Sequence, residues 1–285
     1  MIDEIKNIAK KLLKNGDIGL FIGYGRNSLG DVTPVFIQKE DDVEKMVWDS
    51  DCFYNLATYL TDRDITRLQE GSIGILLKGC DQKSLKVLIS ESQVRRERIK
   101  IIGVTCDGMK NPDGFFLSKC ETCDVHNPDP ALCDAVIGGK STKREKRDDF
   151  ADIDAVDALG SAARRELWNG YFKRCIRCYA CRNVCPLCYC RECVLDQYNP
   201  QWVSPSPSAE NNMFFHIIRA YHLTGRCIDC GECERACPVG IPLRTINRKM
   251  IKVVRESFDF EAGKDPEKKS PLTWFRQEDP EDFQS

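Results

Sequence analysis

Apolar residues recur along this chain with two different periods, and the change of period marks out its elements. Ile5, Ile8, Leu12 and Leu13 stand at helical spacing behind the N-terminus, and Gly16 closes that helix. Short runs rich in β-branched residues follow at Ile18–Ile22, Val35–Ile37, Ile73–Leu77 and Ile99–Val104. Between the last two, Gln82–Glu91 carries Leu85, Leu88 and Ile89 on one helical face. Strand, helix and strand within about 30 residues predict a βαβ unit. Residues 1–138 are therefore expected to form an α/β domain with a mainly parallel sheet.

Past Gly138 the pattern turns polar and basic as far as Arg147, which reads as a linker. An amphipathic helix is expected from Phe150 to Trp168, so residues 139–168 are linker plus helix. Ser204-Pro-Ser-Pro-Ser208 is turn-rich. A further helix then carries Phe214, Ile217, Ile218 and Tyr221 on one face and ends at Gly225, with His216 and His222 read as surface or core-edge residues. Residues 259–285 make a charged tail with one apolar island, Pro271–Phe275. That island suits either a docking peptide or a tail folded back on its own domain.

Charge and hydropathy narrow the field. A net charge of −2 and a pI near 6.0 give no electrostatic footprint for nucleic acid or a membrane surface. Mean hydropathy is −0.41, and no apolar run approaches the roughly 20 residues of a bilayer span. Met1-Ile-Asp-Glu-Ile-Lys6 lacks the basic-then-apolar pattern of a signal peptide, so a cytoplasmic protein is expected. There, 17 cysteines do not form a disulfide framework. Metal ligation is the alternative.

Two runs carry that chemistry: Cys175-Ile-Arg-Cys178-Tyr-Ala-Cys181-Arg-Asn-Val-Cys185-Pro186 and Cys227-Ile-Asp-Cys230-Gly-Glu-Cys233-Glu-Arg-Ala-Cys237-Pro238. Each is C-x2-C-x2-C-x3-C-P, the bacterial ferredoxin spacing for 4Fe–4S clusters, in which the fourth cysteine serves the other cluster. Cluster I is accordingly assigned to Cys175, Cys178, Cys181 and Cys237, and cluster II to Cys227, Cys230, Cys233 and Cys185. Residues 169–258 are expected to form an α+β dicluster ferredoxin domain with helical additions.

Nine cysteines remain. Cys80 and Cys106 close two predicted strands, and in a parallel sheet both emerge at the carboxyl edge, where open α/β folds bind ligands. With the Cys120–Cys123 CxxC pair they make a candidate third 4Fe–4S site, against structural cysteines plus a zinc or redox pair. Cys188, Cys190 and Cys193 are too dense for packing alone and would form a fourth site with Cys52. Cys133 reads as packing. Gly23-Tyr-Gly25-Arg-Asn-Ser-Leu-Gly30 invites a dinucleotide reading, but it leads into a strand where that fingerprint needs a helix, so a glycine-rich turn fits better.

The set Lys78-Gly79-Cys80-Asp81, Cys106-Asp107-Gly108, Cys120-x2-Cys123 and a following dicluster module resembles the beta subunits of deazaflavin-coenzyme-reducing hydrogenases and formate dehydrogenases. It looks closer still to the shorter iron–sulfur proteins of that family associated with heterodisulfide-reductase-type complexes. The resemblance implies FAD and a cluster in the α/β domain, ferredoxin-type clusters beyond, and work inside a complex with flavoprotein, hydrogenase, formate dehydrogenase or heterodisulfide-reductase-like subunits. No flavin-binding motif maps residue by residue. Two functions are expected to compete, ahead of a zinc-bearing structural or nucleic-acid module that the acidic net charge and the Cys-Pro endings disfavour. One is a non-catalytic electron-transfer subunit relaying single electrons through several clusters in anaerobic metabolism. The other is an FAD-containing catalytic subunit reducing a nicotinamide or deazaflavin coenzyme. No convincing catalytic acid, base or nucleophile stands out, which favours the relay.

Overall fold

The computed structural model describes residues 1–67, 71–111, 113–141, 150–265 and 267–275. Most of the expected basic linker and the end of the tail lie outside them. The elements are α1 (Ile2–Lys14), β1 (Leu20–Arg26), β2 (Val32–Ile37), α2 (Arg63–Arg67), β3 (Ile73–Lys78), α3 (Gly79–Ser90), β4 (Ile99–Val104), α4 (Ser118–Glu121) and β5 (Ala135–Ile137). There follow α5 (Ala151–Asp157), α6 (Ser161–Arg174), α7 (Ala180–Asn183), α8 (Ala209–His222), α9 (Glu232–Arg235) and α10 (Leu243–Phe258). The chain forms two compact units. The first is Met1–Asp149 with Tyr179–Arg191 and Cys230–Pro238, and the second is Phe150–Cys178 with Glu192–Asp229 and Val239–Ser285.

The first unit is built on a five-stranded sheet of order β2-β1-β3-β4-β5. β1 and β2 pair antiparallel, and the other pairs are parallel. Every residue of β3 is buried, as expected for a central parallel strand covered on both faces. α3 carries the chain from β3 to β4, so the βαβ expectation holds. Three-residue β5 was not foreseen; Asp134 anchors its start by accepting the Ile101 amide at 2.8 Å. The glycine run also differs from expectation. Gly23 and Gly25 are strand residues, and a side chain at Gly25 would sit 2.5 Å from Val35. Only Gly30, at φ +88°, serves the hairpin turn.

The second unit is helical. α6 and α10 both pack on α8, and α5 packs on α10. The helix expected over Phe150–Trp168 is two, broken around Gly160 ahead of α6. α8 turns the expected way neither in burial nor in chemistry. Phe214, Ile217 and Tyr221 are partly exposed, whereas Asn212, Phe215, His216 and Arg219 are buried. Among the described residues no strand follows β5, and the backbone around the cysteine runs bonds instead into turns and four-residue helices. In the tail, Ser270 lies against Gly225, while Leu272, Trp274 and Phe275 stay exposed.

Candidate metal centres

The two cysteine runs fold into the same local backbone. In the first, Arg177 and Tyr179 have φ of +54° and +60°; in the second, Asp229 and Gly231 have +60° and +69°. These are the same two positions, on either side of the second cysteine. A non-glycine residue held there costs about 1–3 kcal/mol, and three of the four are not glycine. A four-residue helix follows in each case, α7 or α9, and contains the third cysteine. Cys181 and Cys233 are alike in burial, at 7% and 8% exposure. α7 and α9 pack on one another. The left-handed residues curl the chain so that amides face sulfur: the Arg177 N–H donates to Cys175 Sγ at 3.4 Å. A thiolate-bound cubane needs such a concave turn with N–H donors, and both runs fit it.

Side chains distinguish the two turns. Arg177 is 7% exposed and donates to Asn212 Oδ1 at 3.1 Å and the Ser204 carbonyl at 3.0 Å, its guanidinium lying over Phe215. Among the described residues no carboxylate pairs with it. The matching Asp229 is clamped by Arg244 through two 2.7 Å bonds and by Arg248 through a third. Arg248, fully buried, also grips Asp152 with both forks. Sequence reasoning missed His216. Its Nε2 lies 3.4 Å from Cys175 Sγ, and burial, with Arg219 and Arg177 adding to it, lowers its pKa to about 4. With its proton on Nε2, a neutral ring donates to that sulfur. Only its place three residues before Arg219 on α8, facing away from the apolar stripe, hinted at this.

The first unit gathers Cys80, Cys106, Cys120 and Cys123. Burial first, then the charge of Asp81 and after it that of Cys123, raises the Cys80 thiol well above its usual pKa. Burial likewise pushes Cys123 up to about 11, with Cys120 adding to it, and Cys106 also feels Cys120. The four thiols are thus electrostatic neighbours. Backbone N–H groups of Gly108 and Met109 point at Cys106 and Cys120, both at 3.3 Å. Gly79 is required here, since a side chain would meet the Asn127 carbonyl at 2.6 Å. One buried lysine, Lys78, and one half-buried lysine, Lys119, flank the set. Lys78 pairs with Asp81 at 2.7 Å and donates to the carbonyls of Cys52 and Tyr54. Burial opposes its charge, but Asp81 and Cys80 outweigh that and hold its pKa above the usual lysine value. Lys119 donates to the Phe53 carbonyl at 2.7 Å and reaches Glu232, between Cys230 and Cys233, at 3.4 Å. Glu232 is also held by Arg235. Four thiols, aimed amides and two cations suit a dianionic thiolate cluster.

The remaining cysteines differ. Cys52 is completely buried, its sulfur against Asp49 and Val47, and burial pushes its thiol to about 12. Cys188 and Cys193 are half-buried and Cys190 is exposed. Tyr189 between them donates to Glu91. Cys133 takes the Gln82 amide at 2.8 Å and packs on Gly103. Among the described residues no three His, Cys, Asp or Glu side chains close round a single metal ion.

Residues 174–242, which contain both turns, match the family model described as a 4Fe–4S dicluster domain. More particularly, 100 residues are 41% identical to the F420-dependent formate dehydrogenase subunit beta of Methanocaldococcus jannaschii, covering 35% of this chain and 26% of that one. The F420-dependent formate dehydrogenase 1 subunit beta of Methanococcus maripaludis is 38% identical over 104 residues, 36% of this chain and 26% of its own. The chain spans about a quarter of the length of these relatives. A chain of the F420-reducing [NiFe] hydrogenase complex from Methanosarcina barkeri aligns over 38% of this chain and 39% of its own, at 14% identity and a TM-score of 0.32, too slight a likeness to carry an argument. Among the described residues no helix is long and apolar enough to cross a membrane.

Proposed function

We propose that the chain is an iron–sulfur electron-transfer subunit of a multi-subunit oxidoreductase complex, of the kind the formate dehydrogenase relatives name. The observation that carries this is the pair of matching left-handed turns, each spending backbone strain to wrap three cysteines. The ligand sets stay as the spacing assigns them: Cys175, Cys178, Cys181 and Cys237 for one cluster, and Cys227, Cys230, Cys233 and Cys185 for the other. Cys80, Cys106, Cys120 and Cys123 hold a third. A fourth, on Cys52, Cys188, Cys190 and Cys193, is the least supported. The domain limits at 138, 168 and 258, and a cytoplasmic site of action, belong to the same reading.

Bound clusters supply one-electron transfer at potentials set by sulfur hydrogen bonds, burial and nearby charge. The protein supplies those three things. Gly108, Met109 and Arg177 point backbone N–H groups at sulfur, and His216 places Nε2 beside Cys175 Sγ. Lys78, Lys119 and Arg177 bring positive charge that favours the more negative reduced state. The Lys119–Glu232 contact ties the second run to the Cys120–Cys123 segment, so third site and second run adjoin within one unit.

Iron and acid-labile sulfide in anaerobically purified chain test this. About twelve iron per chain, at four per cubane, is the expected result, and about sixteen would add the fourth site. Stoichiometric zinc without sulfide would sink the proposal. Flavin released by acid from the same sample would favour the FAD-containing catalytic reading.

A further inference from the structure

The second unit holds an apolar cavity of about 690 Å³ that the electron-relay reading does not use. Its walls come from four helices and include Trp168, Phe172, Met213, Ile217, Tyr221 and Met250. Part of the apolar stripe of α8 therefore lines open space. The volume lies within the roughly 300–1,000 Å³ typical of small-molecule sites. Three cations, Arg164, Arg165 and Lys249, face one carboxylate, Asp157, in its lining. Asp157 is paired with Lys249 at 2.6 Å, and Arg164 lies 3.9 Å away. Arg165 is exposed. The lining keeps a net positive charge.

One wall leads to a cysteine of the first run. Trp168 stacks on Phe172 with ring centroids 5.9 Å apart and planes 22° apart. Phe172 stacks on His216 at 5.5 Å and 13°. His216 Nε2 then touches Cys175 Sγ at 3.4 Å. Three nearly parallel rings thus run from the cavity to the sulfur. A ring lying on Trp168 would extend the stack that leads to that sulfur.

We propose that this cavity binds a fused-ring quinone bearing an anionic substituent, with the ring among Trp168, Phe172 and Ile217 and the anion at Arg164 and Arg165. The proposal rests on the electron-relay reading for its use but not for its binding. A quinone fits better than a flavin because most of the accessible lining surface is apolar, and a flavin ring presents several polar groups along its edge against that surface. Reduction of such a ring takes two electrons, delivered singly by the external one-electron donor that reduces the chain. It also takes two protons from water. Both carbonyls become hydroxyls.

Calorimetric titration of the anaerobically purified full chain with anthraquinone-2-sulfonate tests this; that quinone has no free position for thiol attack. One saturable site per chain is expected. Ile217→Trp and, separately, Met213→Trp fill the cavity from partly exposed positions and should each weaken binding at least tenfold, with iron content unchanged. Arg165→Gln should weaken it about threefold, with a shallower salt dependence. Iron-replete protein that shows no saturable binding overturns the proposal, as does binding indifferent to both tryptophan variants, or tighter binding of flavin mononucleotide. Iron-free protein that still binds the quinone would support the cavity and overturn the relay reading instead.

Discussion

The first and second cysteine turns have one backbone and opposite electrostatics. Both place left-handed residues at the same two positions and follow them with a four-residue helix and Cys-Pro. Yet where the first turn has Arg177, unpaired with any described carboxylate and 7% exposed, the second has Asp229, clamped by two arginines. The acid beside Cys233, Glu232, is likewise neutralised by Arg235 and Lys119. Cluster geometry is thus a backbone property that the cysteine spacing imposes. Cluster potential is set by side chains drawn from α8 and α10, far away in sequence. On this account cluster I, beside an uncompensated cation and a histidine N–H, has the higher potential.

The largest effect breaks the backbone equivalence itself. Cys181→Ser and Cys233→Ser each remove the third ligand of their own turn, so each variant should lose about four iron per chain. The electron paramagnetic resonance spectrum should lose one component in each, and a different one. If both variants lost the same component, the assignment of the turns to separate clusters would fail.

Next come the paired substitutions at the matching position. Arg177→Gln removes a buried charge from the first turn; at an effective dielectric of about 20, a unit charge about 8 Å away contributes about 2 kcal/mol. For one electron this is about 90 mV downward for cluster I. Asp229→Asn should move cluster II the other way, upward and by less, because Arg248 keeps its pairing with Asp152. Potentiometry of both variants checks the signs, and two shifts in one direction would refute the comparison. His216→Leu deletes one N–H···S bond of about 0.5–1.5 kcal/mol. It should therefore lower only cluster I, by about 20–65 mV.

The smallest effect concerns acid stability. Burial works against the Asp152 carboxylate, but Arg248, through a hydrogen bond and its charge, holds its pKa below the usual 3.8. A lowered folded value means the contribution is present above pH 3.8 and is lost as pH falls through the folded pKa. Asp152 is half exposed, so the contribution is no more than about 0.5 kcal/mol. Asp152→Asn should flatten that acid limb of the unfolding curve, and an unchanged limb would remove Asp152 from the network.

The strands β3 and β4 were legible because continuous apolar runs between turn signals have few other uses, whereas β1 runs on to Arg26 through glycines that read as a turn. The cysteine turns were legible because ligand spacing carries its own geometry. Three-residue β5 carries too little pattern, and its place depends on the Asp134–Ile101 bond across the sheet. The face of α8 was misread for a physical reason. Its polar residues are buried to hold the first turn, with Asn212 donating to the carbonyls of Phe172 and Cys175, so hydrophobicity pointed to the wrong side. The same inversion hid His216 and left Ile217 and Met213 facing a cavity. Arg177 and Asp229 were visible as letters in the motif, but their partners lie 35 and 15 to 19 residues away in sequence. No local pattern connects them.

The most direct test is a redox titration of the anaerobically purified chain followed by electron paramagnetic resonance, run beside Arg177→Gln. At least two separate one-electron 4Fe–4S signals should appear, and only the higher-potential one should move down in the variant. A single signal, or two signals that ignore Arg177, would contradict the account.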